Sequence, residues 1–222
     1  MIGPGPEFYD QLTPGEAAGL DAVATRRQWR RGAVIFRESE HSDRVVVLRG
    51  GRVKVASQTA GGTEVLLAVR GPGAILGELS ALDGESLSAT VTALEPVTAL
   101  VVPRVEFERY LHAHGRVAYL LMRQLTSRLR DADRKRVEFG AFDTTARVAA
   151  RLVEMAERFG QPTGDGLRIG VPLSQDELAG WTGSSREAVA KALRTLRAQG
   201  LIRTGRLHVV VFDLDALRER AR

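Results

Sequence analysis

The chain has 222 residues, of which 44% are hydrophobic and 27% charged, and its formal net charge is +5. This length allows two small domains, and the balance of apolar and charged residues excludes an intrinsically disordered chain. The chain contains no cysteine, which excludes disulfides, cysteine-ligated zinc and iron–sulfur clusters. No apolar segment approaches the roughly 18 residues of a membrane span, and the N-terminus lacks a signal-peptide pattern, so we expect a cytoplasmic protein with no membrane partner.

The first half of the chain is predicted to form a small β-domain. Apolar residues at helical intervals over residues 7–25 indicate one or two short helices. Residues 28–103 then contain short β-branched runs separated by glycines, such as AVIF, RVVVL and RVKVAS, which are typical of a β-sandwich or barrel. Gly50 and Gly51, between VVVL and RVKV, indicate a β-hairpin.

The middle of the chain is predicted to be helical. Residues 105–139 contain no proline and one glycine, Gly115, which predicts a short helix before it and a long helix after it. The long helix carries an apolar stripe formed by Val117, Leu121, Leu125, Leu129 and Ala132. Such a stripe either packs on the β-domain or pairs with a second copy, and we favour a homodimer through residues 115–139. Residues 139–143 are interpreted as a hinge, with Asp143 as the N-cap of a helix over residues 144–159.

The segment LSQDELAGWTGSSREAVAKALRTLRAQGLI has the pattern of a helix-turn-helix. Ser174 caps the first helix in a capping box with Glu177, Gly183 makes the turn, and either Ser184 or Ser185 caps the second helix. The flanking segments are predicted as a loop over residues 161–170, a β-hairpin or wing over residues 201–212, and a last helix over residues 213–222.

The outer face of the second helix has the chemistry of a DNA reader. Arginine contacts O6 and N7 of guanine together, glutamate accepts from the amino group of cytosine, and lysine reaches guanine or a phosphate. Serine hydroxyls, helix N-termini and an arginine at the tip of a wing suit phosphate oxygens. The candidate DNA contacts are Ser174, Ser184, Ser185, Arg186, Glu187, Lys191 and Arg206. The alternative is a basic protein-interaction module, which would not prefer a defined palindrome over random duplex.

The string GSSREAVAKALRTLRAQGLI and the upstream FDTTARVAARL resemble the Crp/Fnr family of bacterial transcription regulators, and the resemblance covers nearly the whole chain. It implies that Arg186 and Glu187 read base edges and that Lys191 occupies a third reading position, often arginine in the catabolite-activator branch. It also implies a homodimer on an inverted repeat of double-stranded DNA, with RNA polymerase as a partner that residues 161–170 are candidates to contact.

The same resemblance implies an α+β fold class with three parts. These are a β-roll sensor domain over residues 1–114, a dimerisation helix over residues 115–139 and a winged helix-turn-helix over residues 140–222.

The stretch GPGAILGELSALDGESLSATVTALEP resembles the phosphate-binding part of a cyclic-nucleotide-binding β-roll. The resemblance implies that Glu78 holds the ribose hydroxyl of a nucleotide effector. The implied effector site comprises Gly77, Glu78, Leu79, Ser88, Ala89 and Asp133.

Two departures from the family pattern weaken the expectation of cyclic AMP binding. Leu87 stands where the family has the arginine that pairs with the cyclic phosphate, and a lost charge-assisted bond costs roughly 1.5–3 kcal/mol. Ala132 and Asp133 stand where the cyclic-AMP-binding branch has Thr-Ser. Three alternatives follow, with the first favoured: a vestigial pocket, a different effector such as another nucleotide, or weak cyclic AMP binding through Glu78, Ser88 and backbone.

Other chemistry has little support in the sequence. His112 and His114 are two positions apart and so point to different sides of a helix, and His41 and His208 lie far from them. We therefore expect no metal and no haem. The sequence also has no recognisable catalytic triad or phosphate loop, so we expect no enzyme and no obligatory cofactor.

Overall fold

The computed structural model describes residues 6–205 and 207–221. Contacts divide them into two compact units. The N-terminal unit contains residues 6–57 and 67–131, and the C-terminal unit contains residues 58–66 and 132–221.

The N-terminal unit begins with the two short helices that the sequence predicts. A 3₁₀ turn covers Tyr9–Gln11, and helix α1 covers Pro14–Ala22. Helix α1 begins sharply because Thr13 and Glu16 form a capping box and proline occupies the first helical position.

The strands follow, and a short helix, α2 (Glu78–Asp83), lies between the sixth and seventh of them. Their bounds are β1 Thr25–Trp29, β2 Val34–Phe36, β3 Arg44–Gly50, β4 Val53–Gln58, β5 Glu64–Arg70, β6 Ile75–Leu76, β7 Thr90–Ala93 and β8 Val97–Pro103. They form two sheets with the orders β1-β8-β3-β6 and β2-β7-β4-β5. The expected β-sandwich architecture is therefore confirmed.

The hairpin expected at Gly50 and Gly51 is wrong, because β3 and β4 belong to different sheets. Gly51 has φ of +77°, and a Cβ there would lie 2.2 Å from the carbonyl oxygen of Pro96. These glycines carry the chain from one sheet to the other past a close backbone neighbour. The same residues mark a hairpin turn and a crossover, so the local signal does not separate the two.

Strand β3 shows why the two sheets stack. Val45 and Val47 face an apolar cluster that includes Phe107, whereas Val46 and Leu48 face a second cluster on the other side. Successive side chains of a strand point to opposite faces, so β3 is buried on both. Leu87 belongs to the second cluster and is 7% exposed.

Two helices follow β8: α3 (Arg104–Ala113) and α4 (Gly115–Ala141). Val117 and Leu121 of α4 are buried in the core of the N-terminal unit, and Leu125 packs against it. The prediction that this stripe forms the dimer face is therefore wrong for these three residues, although Leu129 and Ala132 are exposed. The helical period alone does not say which partner a stripe packs against.

The predicted hinge also lies later than expected, because α4 continues to Ala141. The helix continues through Gly140, although glycine inside a helix lowers helix stability by about 1 kcal/mol relative to alanine. The break falls at Phe142 and Asp143, immediately before the next helix.

The C-terminal unit continues with α5 (Thr144–Phe159), and Asp143 is its N-cap, as predicted. The carboxylate of Asp143 accepts from the backbone N–H of Ala146 at 2.7 Å. The prediction of a loop over residues 161–170 is wrong. Strands β9 (Gly160–Thr163) and β10 (Gly166–Ile169) form a hairpin there.

The remaining elements match the sequence-based prediction closely. They are α6 (Gln175–Thr182), α7 (Arg186–Ala198), β11 (Ile202–Gly205), β12 (His208–Val211) and α8 (Leu214–Arg220). The sheet order β11-β12-β10-β9 explains the unexpected hairpin, since β10 is completed by pairing with β12. A strand that depends on such a distant partner has only a weak local signal.

Candidate nucleic-acid interface and sensor pocket

Helix α6 begins with the predicted capping box. The Oγ atom of Ser174 accepts from the backbone N–H of Glu177 at 3.1 Å, and the Glu177 carboxylate accepts from the backbone N–H of Ser174 at 2.8 Å. The Ser174 hydroxyl also donates to that carboxylate at 2.9 Å. Ser174 is exposed at the start of the helix, and its side chain fixes where α6 begins.

The turn between α6 and α7 is made by Gly183, whose φ of +56° lies in the left-handed region that glycine adopts readily. Ser185, and not Ser184, is the N-cap of α7, because its hydroxyl accepts from the backbone N–H of Ala188 at 3.2 Å. The half-buried Ser184 instead accepts from the Arg147 guanidinium at 3.1 Å and lies 3.3 Å from the Thr144 hydroxyl. The Ser184 side chain therefore connects the turn to the first residues of α5 by hydrogen bonds.

Helix α7 separates into a buried face and a charged face. The buried residues are Val189, Ala192, Leu193 and Leu196. The exposed residues are Arg186, Glu187, Lys191, Arg194 and Arg197. A helix packed along its apolar face holds its charged face in a fixed orientation, which is the arrangement that major-groove reading needs.

The first turn of α7 carries charges of both signs. The Nη1 atom of Arg186 lies 3.6 Å from a carboxylate oxygen of Asp176 on α6. The pKa of Glu187 is lowered, mainly because its own backbone N–H donates to the carboxylate and further because of the Ser185 hydroxyl and Arg186. Glu187 is therefore an ionised acceptor at neutral pH.

The wing is connected to α7 and to the β9–β10 hairpin by arginines. Arg197 donates to the Thr204 hydroxyl at 3.0 Å, and Arg203 forms an ion pair with Asp165 at 2.7 Å. Arg206, the expected arginine at the tip of the wing, lies outside the described residues.

A cavity of about 120 Å³ lies in the N-terminal unit, beside β6, α2 and β7. Five predicted effector residues line it together with Leu87, namely Gly77, Glu78, Leu79, Ser88 and Ala89. The sixth, Asp133, is an exposed residue of α4 and is not among the described residues that line this cavity.

Two arginines that the sequence analysis missed, Arg70 and Arg128, also line the cavity. Arg128 forms an ion pair with Glu78 and donates to the carbonyl oxygen of Ile75 at 2.9 Å. The Glu78 side chain is only 5% exposed, so its charge is neutralised inside the protein. These partners are 50 residues apart in the chain, and no local motif joins them.

The remaining feature is an exposed apolar stripe on α4, on the face away from the core. The stripe consists of Tyr119, Met122 and Leu129 together with the polar Thr126, and the exposed Val137 lies further along the same helix. Tyr119, Met122 and Leu129 are 58%, 57% and 63% exposed. Residues 119, 122, 126 and 129 are spaced alternately by three and four, which is the spacing of a coiled-coil seam.

Comparison with known proteins explains the two halves of the chain. A cyclic nucleotide-binding domain model matches residues 26–114, and a Crp-like helix-turn-helix domain model matches residues 146–220. The chain is 31% identical, over 215 residues, to the CRP-like cAMP-activated global transcriptional regulator of Mycobacterium tuberculosis. The match covers 97% of this chain and 96% of that protein. The protein belongs to the Crp/Fnr family of transcription regulators.

Solved structures agree with this assignment of the Crp/Fnr regulator. A transcriptional regulator of the CRP family from Thermus thermophilus is 26% identical, with a TM-score of 0.74 over 88% of this chain and 96% of that one. FixK2 from Bradyrhizobium japonicum shares the fold, with a TM-score of 0.80 and 24% identity over 90% of this chain and 98% of that one.

Within residues 6–205 and 207–221, no group of three or more His, Asp or Glu side chains is placed to hold a metal ion. No helix in the described part of the chain is long and apolar enough to cross a membrane.

Proposed function

We propose that this regulator binds double-stranded DNA as a homodimer on an inverted repeat, with Arg186, Glu187 and Lys191 reading base edges. The observation that carries the proposal is the division of α7 into a buried apolar face and an exposed charged face. Arg186 and Glu187 lie in its first turn, the end that enters the major groove in helix-turn-helix proteins. Arginine recognises guanine and glutamate recognises cytosine, so the two side chains suit the two strands of a G·C pair.

The proposed phosphate contacts include the serines that cap α6 and α7. Ser174 and Ser185 are exposed at the N-termini of α6 and α7, where unpaired backbone N–H groups favour anions. Arg206 is proposed to contact phosphate from the wing. The Ser184 hydroxyl is held by Arg147, so a phosphate at that position would meet the backbone rather than a free side chain.

The homodimer is proposed to form through residues 115–139. The contact would be made by the exposed stripe of Tyr119, Met122 and Leu129, because Val117 and Leu121 of the predicted stripe are buried in the N-terminal unit. A two-fold axis along α4 places each seam residue opposite its own copy. Burial of Tyr119, Met122 and Leu129 would remove apolar surface from water on both copies. Two reading helices related by this symmetry require two half-sites about 10–10.5 bp apart.

Specific DNA binding by this regulator is proposed not to require cyclic AMP. The cavity of about 120 Å³ is small beside the roughly 300–1,000 Å³ of small-molecule sites. Leu87 offers no charge to a phosphate, and Glu78 is already paired with Arg128. The regulator would then differ from its Mycobacterium tuberculosis relative, which is named as cAMP-activated. A different nucleotide in the same cavity is the second candidate, since Glu78 and Ser88 line it.

RNA polymerase is the proposed protein partner, and the cytoplasm is the proposed location. The β9–β10 hairpin is the candidate contact, because its Gln161, Thr163 and Asp165 are exposed. Replacing Gln161 and Thr163 by alanine should change transcription from a promoter that carries the operator, without changing DNA affinity. Unchanged transcription would remove this hairpin from the polymerase surface.

The proposal is tested by selecting bound sequences from random duplex DNA with the full chain and with Arg186→Ala. The wild type should select an inverted repeat, and Arg186→Ala should lose preference at one guanine in each half-site. Arg194→Ala is the matched control, since Arg194 is an exposed arginine of the same helix, and it should select the wild-type repeat. Selection of no repeat, or an identical repeat by Arg186→Ala, contradicts the proposal.

A further inference from the structure

An ion pair joins the first turns of the two helices of the helix-turn-helix. Asp176 lies in the first turn of α6, and its carboxylate is 3.6 Å from the Nη1 atom of Arg186 in the first turn of α7. Both side chains are exposed, at 68% and 64%. The neighbouring acid, Glu177, is engaged in the capping box of α6, so the carboxylate paired with Arg186 comes from Asp176.

The geometry of the guanidinium gives this pair a consequence for base reading. Arginine has five N–H donors in a planar fork. With Nη1 turned toward Asp176, the edge formed by Nε and Nη2 stays available, and two such parallel donors match N7 and O6 of guanine. An arginine side chain has large conformational freedom, so a carboxylate that attracts one edge reduces the freedom lost on reading.

The charge of Asp176 also acts on DNA directly. Without the Asp176 carboxylate, Arg186 would bind a nearby phosphate more readily, and phosphate contacts carry no sequence information. A carboxylate beside Arg186 repels the DNA backbone and competes with phosphates for the guanidinium. The same charge therefore weakens binding to random DNA while it favours one orientation of the reading side chain.

We propose that Asp176 is a specificity-determining residue that orients Arg186 toward guanine and opposes its capture by phosphates. This inference rests on the proposed reading role of Arg186. It gives the first helix of the motif, α6, a role in base selection in addition to that of the outer face of α7.

The test compares Asp176→Asn with Asp165→Asn in the full-length protein. Asp165 forms a single exposed ion pair with Arg203, with side chains 53% and 57% exposed, so its replacement makes the same charge change in the same unit. Fluorescence anisotropy at fixed salt measures affinity for three duplexes of equal length. These are the selected repeat, the repeat with adenine in place of the guanine assigned to Arg186, and a random sequence.

Asp176→Asn should lower the guanine-to-adenine discrimination by about two- to fivefold, the range expected of an exposed ion pair. It should at the same time tighten binding to the random duplex. Asp165→Asn should leave the discrimination unchanged. In an Arg186→Ala background, Asp176→Asn should no longer affect discrimination, because its target is gone.

The outcomes separate this inference from the proposed function. Undiminished discrimination in Arg186→Ala overturns the reading role and this inference with it. Loss of discrimination in Arg186→Ala but not in Asp176→Asn overturns the role of Asp176 alone. An equal effect of Asp176→Asn with and without Arg186 also overturns it, since the carboxylate would then act independently of that side chain.

Discussion

The reading helix and the sensor pocket of this regulator use charged residues in opposite ways. The charges of α7 are exposed, and the one ion pair described at its reading end, between Arg186 and Asp176, is weak because both partners are in solvent. In the pocket, by contrast, Glu78 is buried and paired with Arg128. The charges of α7 are available to a partner from outside, whereas the carboxylate of the pocket already has an internal partner.

The two halves of one family pattern can therefore be retained to different degrees. The segments that form α6 and α7 have the helix caps, the turn glycine and the exposed charged face of a helix-turn-helix, with lysine at position 191. The sensor half keeps the fold and Glu78, but Leu87 lies in its apolar core. A motif match to the sensor fold therefore does not by itself establish a ligand.

The largest expected effect comes from breaking the charge pair of the pocket. Arg128→Ala leaves Glu78 buried without its partner, which should lower the free energy of unfolding by about 3–5 kcal/mol. Urea unfolding measures it. The double variant Glu78→Gln with Arg128→Ala should be less destabilised, since it removes both charges. Arg130→Ala, at an exposed position of α4, is the control. A loss below about 1 kcal/mol for Arg128→Ala would show that the pair does not neutralise the pocket.

The next effect concerns the proposed dimer. Leu129→Asp places a carboxylate opposite its own copy in the proposed seam, which should weaken dimerisation by a factor of about 100 or more, or about 2.7 kcal/mol. Analytical ultracentrifugation measures the dissociation constant. Ser127→Asp, on an exposed part of α4 away from the stripe, should leave the dimer intact. An unchanged dimer in Leu129→Asp would mean that another surface joins the copies.

A smaller effect is expected at the reading end itself. Arg186→Ala should weaken binding to the selected repeat by about 1–3 kcal/mol, the usual value of one bidentate base contact. Titration of the labelled duplex measures this loss. If Arg186→Ala and wild type bind the repeat equally, the exposed charges of α7 are not its readers.

The smallest effect tests the start of the C-terminal unit. Asp143→Ala removes the N-cap of α5 and should lower the free energy of unfolding by about 1 kcal/mol at neutral pH. The backbone N–H of Ala146, and then Arg220, hold the pKa of Asp143 below its usual value. A lowered pKa contributes stability above the ordinary carboxyl pKa of about 3.9, and the contribution is lost as the pH falls through the lowered value.

The difference between Asp143→Ala and wild type should therefore shrink as the pH falls below about 4. Unfolding in urea at several pH values measures it. Asp165→Ala, at an exposed carboxylate that caps no helix, is the matched comparison. A difference that stays constant into acid would mean that the cap acts without its charge.

The parts that the sequence predicts well are those with local signals. Ser174 with Glu177, Gly183 and Asp143 each act within a few residues, and all three are found where expected. The parts that it does not predict depend on distant partners. Strand β10 forms by pairing with β12. The stripe that contains Val117 and Leu121 could pack either on the β-domain or on a second copy of the chain, and the sequence does not distinguish these two apolar partners.

The candidate sites follow the same rule. The charged face of α7 is read directly from helical spacing, because its exposure follows from the buried face opposite. Two ion pairs join residues on different helices, namely Glu78 with Arg128 and Arg186 with Asp176. No local sequence pattern predicts either contact.

The central claim is that α7 binds DNA without a ligand in the pocket, where Glu78 is already paired with Arg128. A DNA-binding titration with and without cyclic AMP tests this claim. The affinity of the full-length wild type for its selected repeat is measured with and without a large excess of cyclic AMP, alongside the melting temperature of the protein. A ligand that binds the folded state must raise its stability. We expect the same affinity and the same melting temperature in both conditions. A gain in operator affinity of about tenfold or more with a clear rise in melting temperature would contradict this claim.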